Sequence, residues 1–195
     1  MPKLYFRYGT MNSSKTMNLL MVAHNYDSQN KKVILIKPAI DIRFGIENIQ
    51  SRTGTQRNAD IVINKTSDLL EIFSEYIFNK SIEKVDCILC DESQFFSAIQ
   101  IEHLRLLTQH YPVICYGLRT DYNTRLFEGS KRLIELADSI EEIKTECVYC
   151  NRKAIINMKK INSETNNLEF SEPDLGTEDK YLAVCWSCWS YKSKN

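Results

Sequence analysis

Val85-Asp86-Cys87-Ile88-Leu89-Cys90-Asp91-Glu92-Ser93-Gln94-Phe95 is a mostly apolar run that ends in two adjacent carboxylates. Residues 85–90 read as a strand buried on both faces, the pattern of a parallel sheet covered by helices. In open α/β sheets ligands bind beyond the C-terminal ends of the strands, which is where Asp91 and Glu92 fall. Adjacent carboxylates there can divide labour, one holding a metal ion and its neighbour accepting a proton.

Outward from this strand the chain alternates. Lys3–Tyr8 and Val33–Ile36 read as strands, and Thr16 to about Asn25 carries Met17, Leu20 and Met21 at helical spacing. Residues 38–58 hold few apolar side chains and read as one long loop, which in a compact domain is usually functional. Ile61–Ile63 is a short strand, and Thr66 or Ser67 can cap a helix over 68–79 with Leu69, Leu70, Phe73 and Ile77 on its apolar face. A helix at about 98–110, a strand at 112–116, a helix at 126–137 and a last strand at 140–144 follow. Strands alternating with helices predict an α/β fold with right-handed crossovers and a mostly parallel sheet. At about residue 146 the character changes to short polar and β-branched segments between two cysteine pairs, which divides the chain into domains at 1–145 and 146–195.

The 195 residues suffice for a substantial core, and 43% hydrophobic with 26% charged residues is the composition of a soluble globular protein. The 25 basic and 25 acidic side chains balance, which argues against a general nucleic-acid binder. No apolar run is long enough to span a membrane, and Met1–Arg7 lacks a signal-peptide core. A cytoplasmic location follows as the expectation, and there the seven cysteines are expected as thiols or metal ligands.

Gly9-Thr10-Met11-Asn12-Ser13-Ser14-Lys15-Thr16 lies between a strand and a helix and nearly matches the phosphate-binding pattern G-x-x-x-x-G-K-[ST]. Inward backbone N–H groups, a helix N-terminus and Lys15 suit the phosphates of a nucleotide, and the Thr16 hydroxyl suits Mg²⁺. Ser14 stands where the pattern has its second glycine. In phosphate-loop enzymes an aspartate at the end of a neighbouring buried strand holds Mg²⁺. Asp91 fits that place, which leaves Glu92 as candidate general base.

Cys147-Val148-Tyr149-Cys150 and Cys185-Trp186-Ser187-Cys188 have the spacing of a tetrahedral Cys₄ zinc site. Four protein ligands leave no open position, so the zinc would be structural. Cys87 and Cys90 share the C-x-x-C spacing, but within a strand residues i and i+3 point to opposite faces. With Cys115 they read as core residues.

These elements in this order resemble the thymidine kinases of the type shared by many bacteria and the vertebrate cytosol. The likeness runs through Leu4–Tyr8, Met11-Asn12, Asp41–Gly45, Ser51-Arg52, Asp91–Phe95, Tyr116–Tyr122, Phe127 with Gly129, and Asp179-Lys180-Tyr181, and is nearest the enterobacterial-like branch. It implies a phosphate-loop kinase fold of RecA-like type with a small C-terminal zinc-binding β domain. It also implies transfer of the ATP γ-phosphate to the 5′-hydroxyl of thymidine, with deoxyuridine as a possible second acceptor, in nucleoside salvage for DNA synthesis. By position Glu92 corresponds to the catalytic base, Gly9–Thr16 and Asp91, Glu92, Ser93 and Gln94 to the ATP-binding segments, and Asp41 and Arg43 to a loop that helps place phosphate and base. A lasso loop over the base would occupy about Ile161–Lys180, including Gly176, with Leu118 and Tyr181 beside the substrate. Met11 could meet the thymine methyl, and Tyr122, Phe127 and Tyr181 could sandwich the flat pyrimidine. A homotetramer and feedback inhibition by thymidine triphosphate are further implications.

Two readings compete. One is a nucleoside monophosphate kinase with a zinc lid, but such lids sit mid-chain with closer cysteine pairs. The other is a zinc-ribbon ATPase acting on nucleic acid, against which the zero net charge and the sparsely basic C-terminal segment speak.

Overall fold

A strand apolar on both faces requires helices on both sides of its sheet, and this arrangement is found in the computed structural model, which describes residues 1–160 and 180–192. The elements run Leu4–Tyr8 (β1), Lys15–Asp27 (α1), Val33–Pro38 (β2), Asn48–Gln50 (β3), Gln56–Asn58 (β4), Ile61–Ile63 (β5), Leu69–Asn79 (α2), Cys87–Cys90 (β6), Ala98–Leu107 (α3), Val113–Gly117 (β7), Glu128–Leu136 (α4), Ser139–Glu142 (β8), Ile156–Lys159 (β9), Tyr181–Val184 (β10) and Trp186–Lys192 (α5), with a 3-10 turn at Ser93–Phe95. Six strands form one sheet in the order β5-β2-β6-β7-β1-β8, and every neighbouring pair is parallel. The expected α/β fold with a parallel sheet flanked by helices is therefore present.

Alternation along each strand sorts the core into two layers. Leu19, Leu20 and Ala23 of α1 pack with Val33, Leu35, Cys87, Leu89 and Ile114 on one face. Leu69 and Phe73 of α2, Ile101 and Leu104 of α3 and Leu133 of α4 cover Leu4, Phe6, Ile34, Ile88, Cys90 and Cys115 on the other. Cys87 and Cys90 thus lie on opposite faces of the sheet, as expected of core residues, and Cys90 sits in register beside Cys115.

Three local expectations are corrected. Residues 38–58 are not one loop, because β3 and β4 pair antiparallel within them, and Ile49 is buried in the α1 layer. The cap of α2 is Asp68, whose carboxylate accepts from the Leu70 and Glu71 amides at 2.9 and 3.1 Å, while the Ser67 hydroxyl accepts from Asn64 N–H. The C-terminal segment contains a helix, α5, beside the β9–β10 hairpin. That hairpin and its cysteines bury a separate small cluster of Cys147, Ile156, Val184 and Cys185.

Candidate functional site

The turn after β1 is closed by Gly9 N–H donating to Gly117 O at 3.3 Å and Ser13 N–H to Thr10 O at 3.3 Å. Asn12 and Ser14 both take left-handed backbone, at φ 66° and φ 60°. Ser14 is the N-cap of α1 and its side chain makes no capping hydrogen bond, so the first-turn amides of α1 are left to an anion. Lys15 is buried, its Nζ donating to Thr10 O at 2.7 Å and to Ser13 Oγ at 3.4 Å. Thr16 Oγ1 lies 3.2 and 3.4 Å from the two oxygens of Asp91, across the end of β7. Hydroxyl and carboxylate are thereby brought to one point, as a hard cation requires.

The left-handed Ser14 explains why the general pattern has glycine there, since a Cβ in that region costs about 1–2 kcal/mol. Part of this is offset because glycine loses more freedom on folding. Ser14→Gly is therefore expected to stabilise the protein by about 1 kcal/mol, read as a rise of about 2–4 °C in the thermal midpoint. A lower midpoint would mean that the serine hydroxyl contributes more than the strain it brings.

Glu92 is also left-handed, at φ 47° and ψ 38°, a conformation a glutamate holds only when its surroundings impose it. Arg43 Nη2 donates to its Oε1 and Gln94 Nε2 to its Oε2, each at 2.5 Å. Gln94 Oε1 accepts from Leu118 N–H at 2.9 Å, so one amide links the base candidate to a substrate candidate. Ser93 is fully buried with its hydroxyl on Tyr116 O at 2.9 Å, and so acts as a brace below the cleft. Asp91 is buried among carboxylates; burial first and the Glu92 charge second push its carboxyl up to about 7, against the pull of Arg43. Asp41 goes the other way: burial raises it, but hydrogen bonding and charge from Arg43, then from Lys37, hold it below the usual range.

Lys37 is the member of this network that local sequence does not mark. It lies in β2 with no exposure, its Nζ 2.8 Å from Asn48 O, 3.2 Å from Gly45 O and 3.4 Å from Asp41 Oδ2. It ties the segment carrying Asp41 and Arg43 to the sheet, and Arg43 Nε reaches Asp41 at 2.7 Å. Removing one partner of a buried ion pair strands the other, so Lys37→Met is expected to cost about 3–5 kcal/mol. Chemical unfolding would measure this, and adding Asp41→Asn should recover part of the loss. Equal stability of Lys37→Met and the parent would show that the pair is not needed for the fold.

A cleft over the phosphate loop is lined by Met11, Asn12, Ser14, Lys15, Thr16, Met17, Arg43, Phe44, Gln50, Ser51, Arg52, Thr53, Glu92 and Leu118. Met17, Gln50 and Thr53 are not among the sequence candidates, and Phe44, Ser51 and Arg52 enter only through the family likeness. Gln50, Ser51, Arg52 and Thr53 reach the cleft because β3 and β4 turn back over α1, which the polar sequence of 48–58 does not announce. Gly129 allows α4 to approach the turn after β6, since a Cβ there would lie 2.4 Å from Ser93 O and 2.7 Å from Phe96 O.

The aromatic candidates form two pairs. Tyr122 and Tyr181 lie 6.2 Å apart between centroids, and Phe127 meets Phe95 edge-on at 5.6 Å. Gly176 and the lasso segment to 179 lie outside the described residues.

Cys147, Cys150, Cys185 and Cys188 converge, with all four Sγ atoms within 4.8 Å of one another. Cys150 lies 3.7 Å from both Cys185 and Cys188. A tetrahedron with metal–sulfur bonds of about 2.3 Å has edges of about 3.8 Å, so the donor set fits a tetrahedral metal. Arg152 Nε donates to Cys150 Sγ at 3.5 Å, and this hydrogen bond draws the Cys150 thiol down to about 6. Among the described residues no helix is long and apolar enough to cross a membrane.

The model of a family described as thymidine kinase matches residues 2–189. A thymidine kinase of Streptococcus pyogenes is 40% identical over 187 residues, covering 95% of each chain. Those of Streptococcus gordonii and Haemophilus influenzae are 41% and 40% identical, each covering 95% of this chain and 94% of the relative. A solved Pif1 helicase from Candida albicans is similar over 73% of this chain and 36% of that one, but 10% identity and a TM-score of 0.40 bear on neither fold nor activity.

Proposed function

The chain belongs to the thymidine kinase family, its activity is the ATP-dependent phosphorylation of thymidine, and we propose how its residues divide that work. Gly9–Thr16 hold the ATP phosphates, with the α1 amides and Lys15 as donors. Thr16 and Asp91 hold Mg²⁺, which neutralises charge on the β- and γ-phosphate oxygens when bound. Glu92 takes the proton of the thymidine 5′-hydroxyl as its oxygen attacks the γ-phosphorus, and the bond from that phosphorus to the β,γ-bridging oxygen breaks to release ADP. Arg43, fixed by Asp41, sits at the edge of the phosphate cleft and orients Glu92. Met11, Leu118, Tyr122, Phe127 and Tyr181 are assigned to the nucleoside, and Gly176 joins them on the family likeness alone.

The observation that carries this reading is the strained Glu92, clamped by Arg43 and Gln94 beside the Thr16–Asp91 pair. Its test is conversion of radiolabelled thymidine to the monophosphate by purified protein with ATP and Mg²⁺. ATP hydrolysis stimulated by single-stranded DNA, with no thymidine product, would sink it in favour of the nucleic-acid ATPase. Relatives that match along nearly the whole chain favour neither that reading nor the monophosphate kinase.

The finer parts of the proposal are these. The metal of the cysteine cluster is zinc, for which four thiolates are the usual set. The boundary at 145/146 separates the nucleotide domain from a metal lobe, supported by the separate cluster around Ile156 and Val184. A homotetramer inhibited by thymidine triphosphate completes it, on the family likeness alone, and a cytoplasmic location is carried over from the sequence reading.

A further inference from the structure

Asn157 is a buried amide in the middle of β9, where asparagine is disfavoured and a polar group needs partners. Its neighbour Ile156 points into the metal-lobe cluster, so alternation turns Asn157 the other way. There Oδ1 accepts from the Met11 amide at 2.7 Å, and Nδ2 is directed at Thr120 O at 3.4 Å. Met11 belongs to the phosphate loop and lines the cleft. A side chain of the C-terminal lobe therefore holds the backbone of the phosphate loop, 146 residues away in sequence.

The place of Asn157 depends in turn on the lobe. Among the described residues β9 pairs with β10 alone, with Asn157 opposite Ala183, and Cys185 follows that strand directly. Among the described residues the cluster behind it has four buried residues, two of them cysteines of the metal set, with Ile155, Met158, Leu182 and Trp189 packed against them. So small a core needs its metal to stay assembled.

We infer that Asn157 is a positioning residue that makes the shape of the phosphate loop, and hence ATP affinity, depend on the metal-bound state of the C-terminal lobe. The inference rests on the reading of Gly9–Thr16 as the ATP site. Without this bond ATP itself has to hold the loop in its present shape, which weakens binding by about tenfold.

The test is calorimetric titration of Mg·ATP into the full-length protein and into Asn157→Leu, with thymidine kinetics in parallel. Expected are an ATP dissociation constant about tenfold higher in the variant and a smaller rise in thymidine KM, through Met11 beside the nucleoside. Chelation of the metal should weaken ATP binding to the parent by a similar factor and add little in the variant. An unchanged ATP constant overturns the inference, as does a raised thymidine KM with normal ATP binding. Absence of ATP binding to the parent would instead overturn the ATP-site reading itself. Hydrogen exchange on the parent needs no variant: chelation should lower protection of the peptide containing Met11. If the lobe peptides lose protection and that peptide does not, the coupling is absent.

Discussion

Glu92→Gln is expected to slow thymidine phosphorylation by about 10²–10⁴-fold, the contribution of a positioned general base. The substitution is isosteric but leaves one acceptor oxygen where there were two, so either Arg43 or Gln94 loses its partner and any bond kept from Arg43 is no longer between charges. Arg43 remains held by Asp41, whose own partner Lys37 is untouched. The fold should survive. One carboxylate fewer also removes the second cause of the raised Asp91 carboxyl, so the cation site is relieved and not weakened. Thymidine and ATP should then still protect the variant against thermal unfolding while product formation collapses. Steady-state kinetics with a thermal-shift assay separate the outcomes. Retained turnover would remove Glu92 as the base; lost ligand protection would mean that its charge is needed for binding.

Much of this site was legible in the chain because its parts are local. A strand apolar on both faces, a glycine–serine loop before a helix, and carboxylates just past a strand each carry their signal within a dozen residues. Lys37 does not, since its partners Asn48, Gly45 and Asp41 lie on a segment whose path is decided elsewhere. The β3–β4 hairpin has one buried apolar residue, Ile49, and forms because that residue docks with α1. Period-2 patterning over three polar residues cannot reveal such a strand. Asn157 is silent in sequence for the same reason: its meaning is a hydrogen bond to Met11, and no composition rule points across the whole chain. Ser14, by contrast, was visible as a departure, and its left-handed backbone gives that departure a physical content.

The cysteine cluster carries the second large prediction. The parent should hold about one metal ion per chain, and Cys185→Ser should hold none, because a hydroxyl replaces one of four thiolates in a closed set. Structural zinc contributes on the order of 10 kcal/mol to small metal-folded units, far more than the four-residue cluster behind the hairpin supplies. Its loss should therefore melt the lobe. The six-stranded sheet has its own two-layered core and no cysteine of the set, so it should remain folded. Limited proteolysis would then cut beyond residue 145 while a fragment holding the parallel sheet persists. Thymidine phosphorylation should fall sharply, since Tyr181 beside the proposed nucleoside site leaves with the lobe, and ATP should bind about tenfold more weakly, as in Asn157→Leu. Elemental analysis reads the metal directly. A parent without metal would remove the Cys₄ site, and a Cys185→Ser protein that kept its ion would show that three thiolates suffice. If the whole chain unfolded in one step with the lobe, the two units would be a single cooperative body, and the boundary at 145/146 would have no energetic meaning.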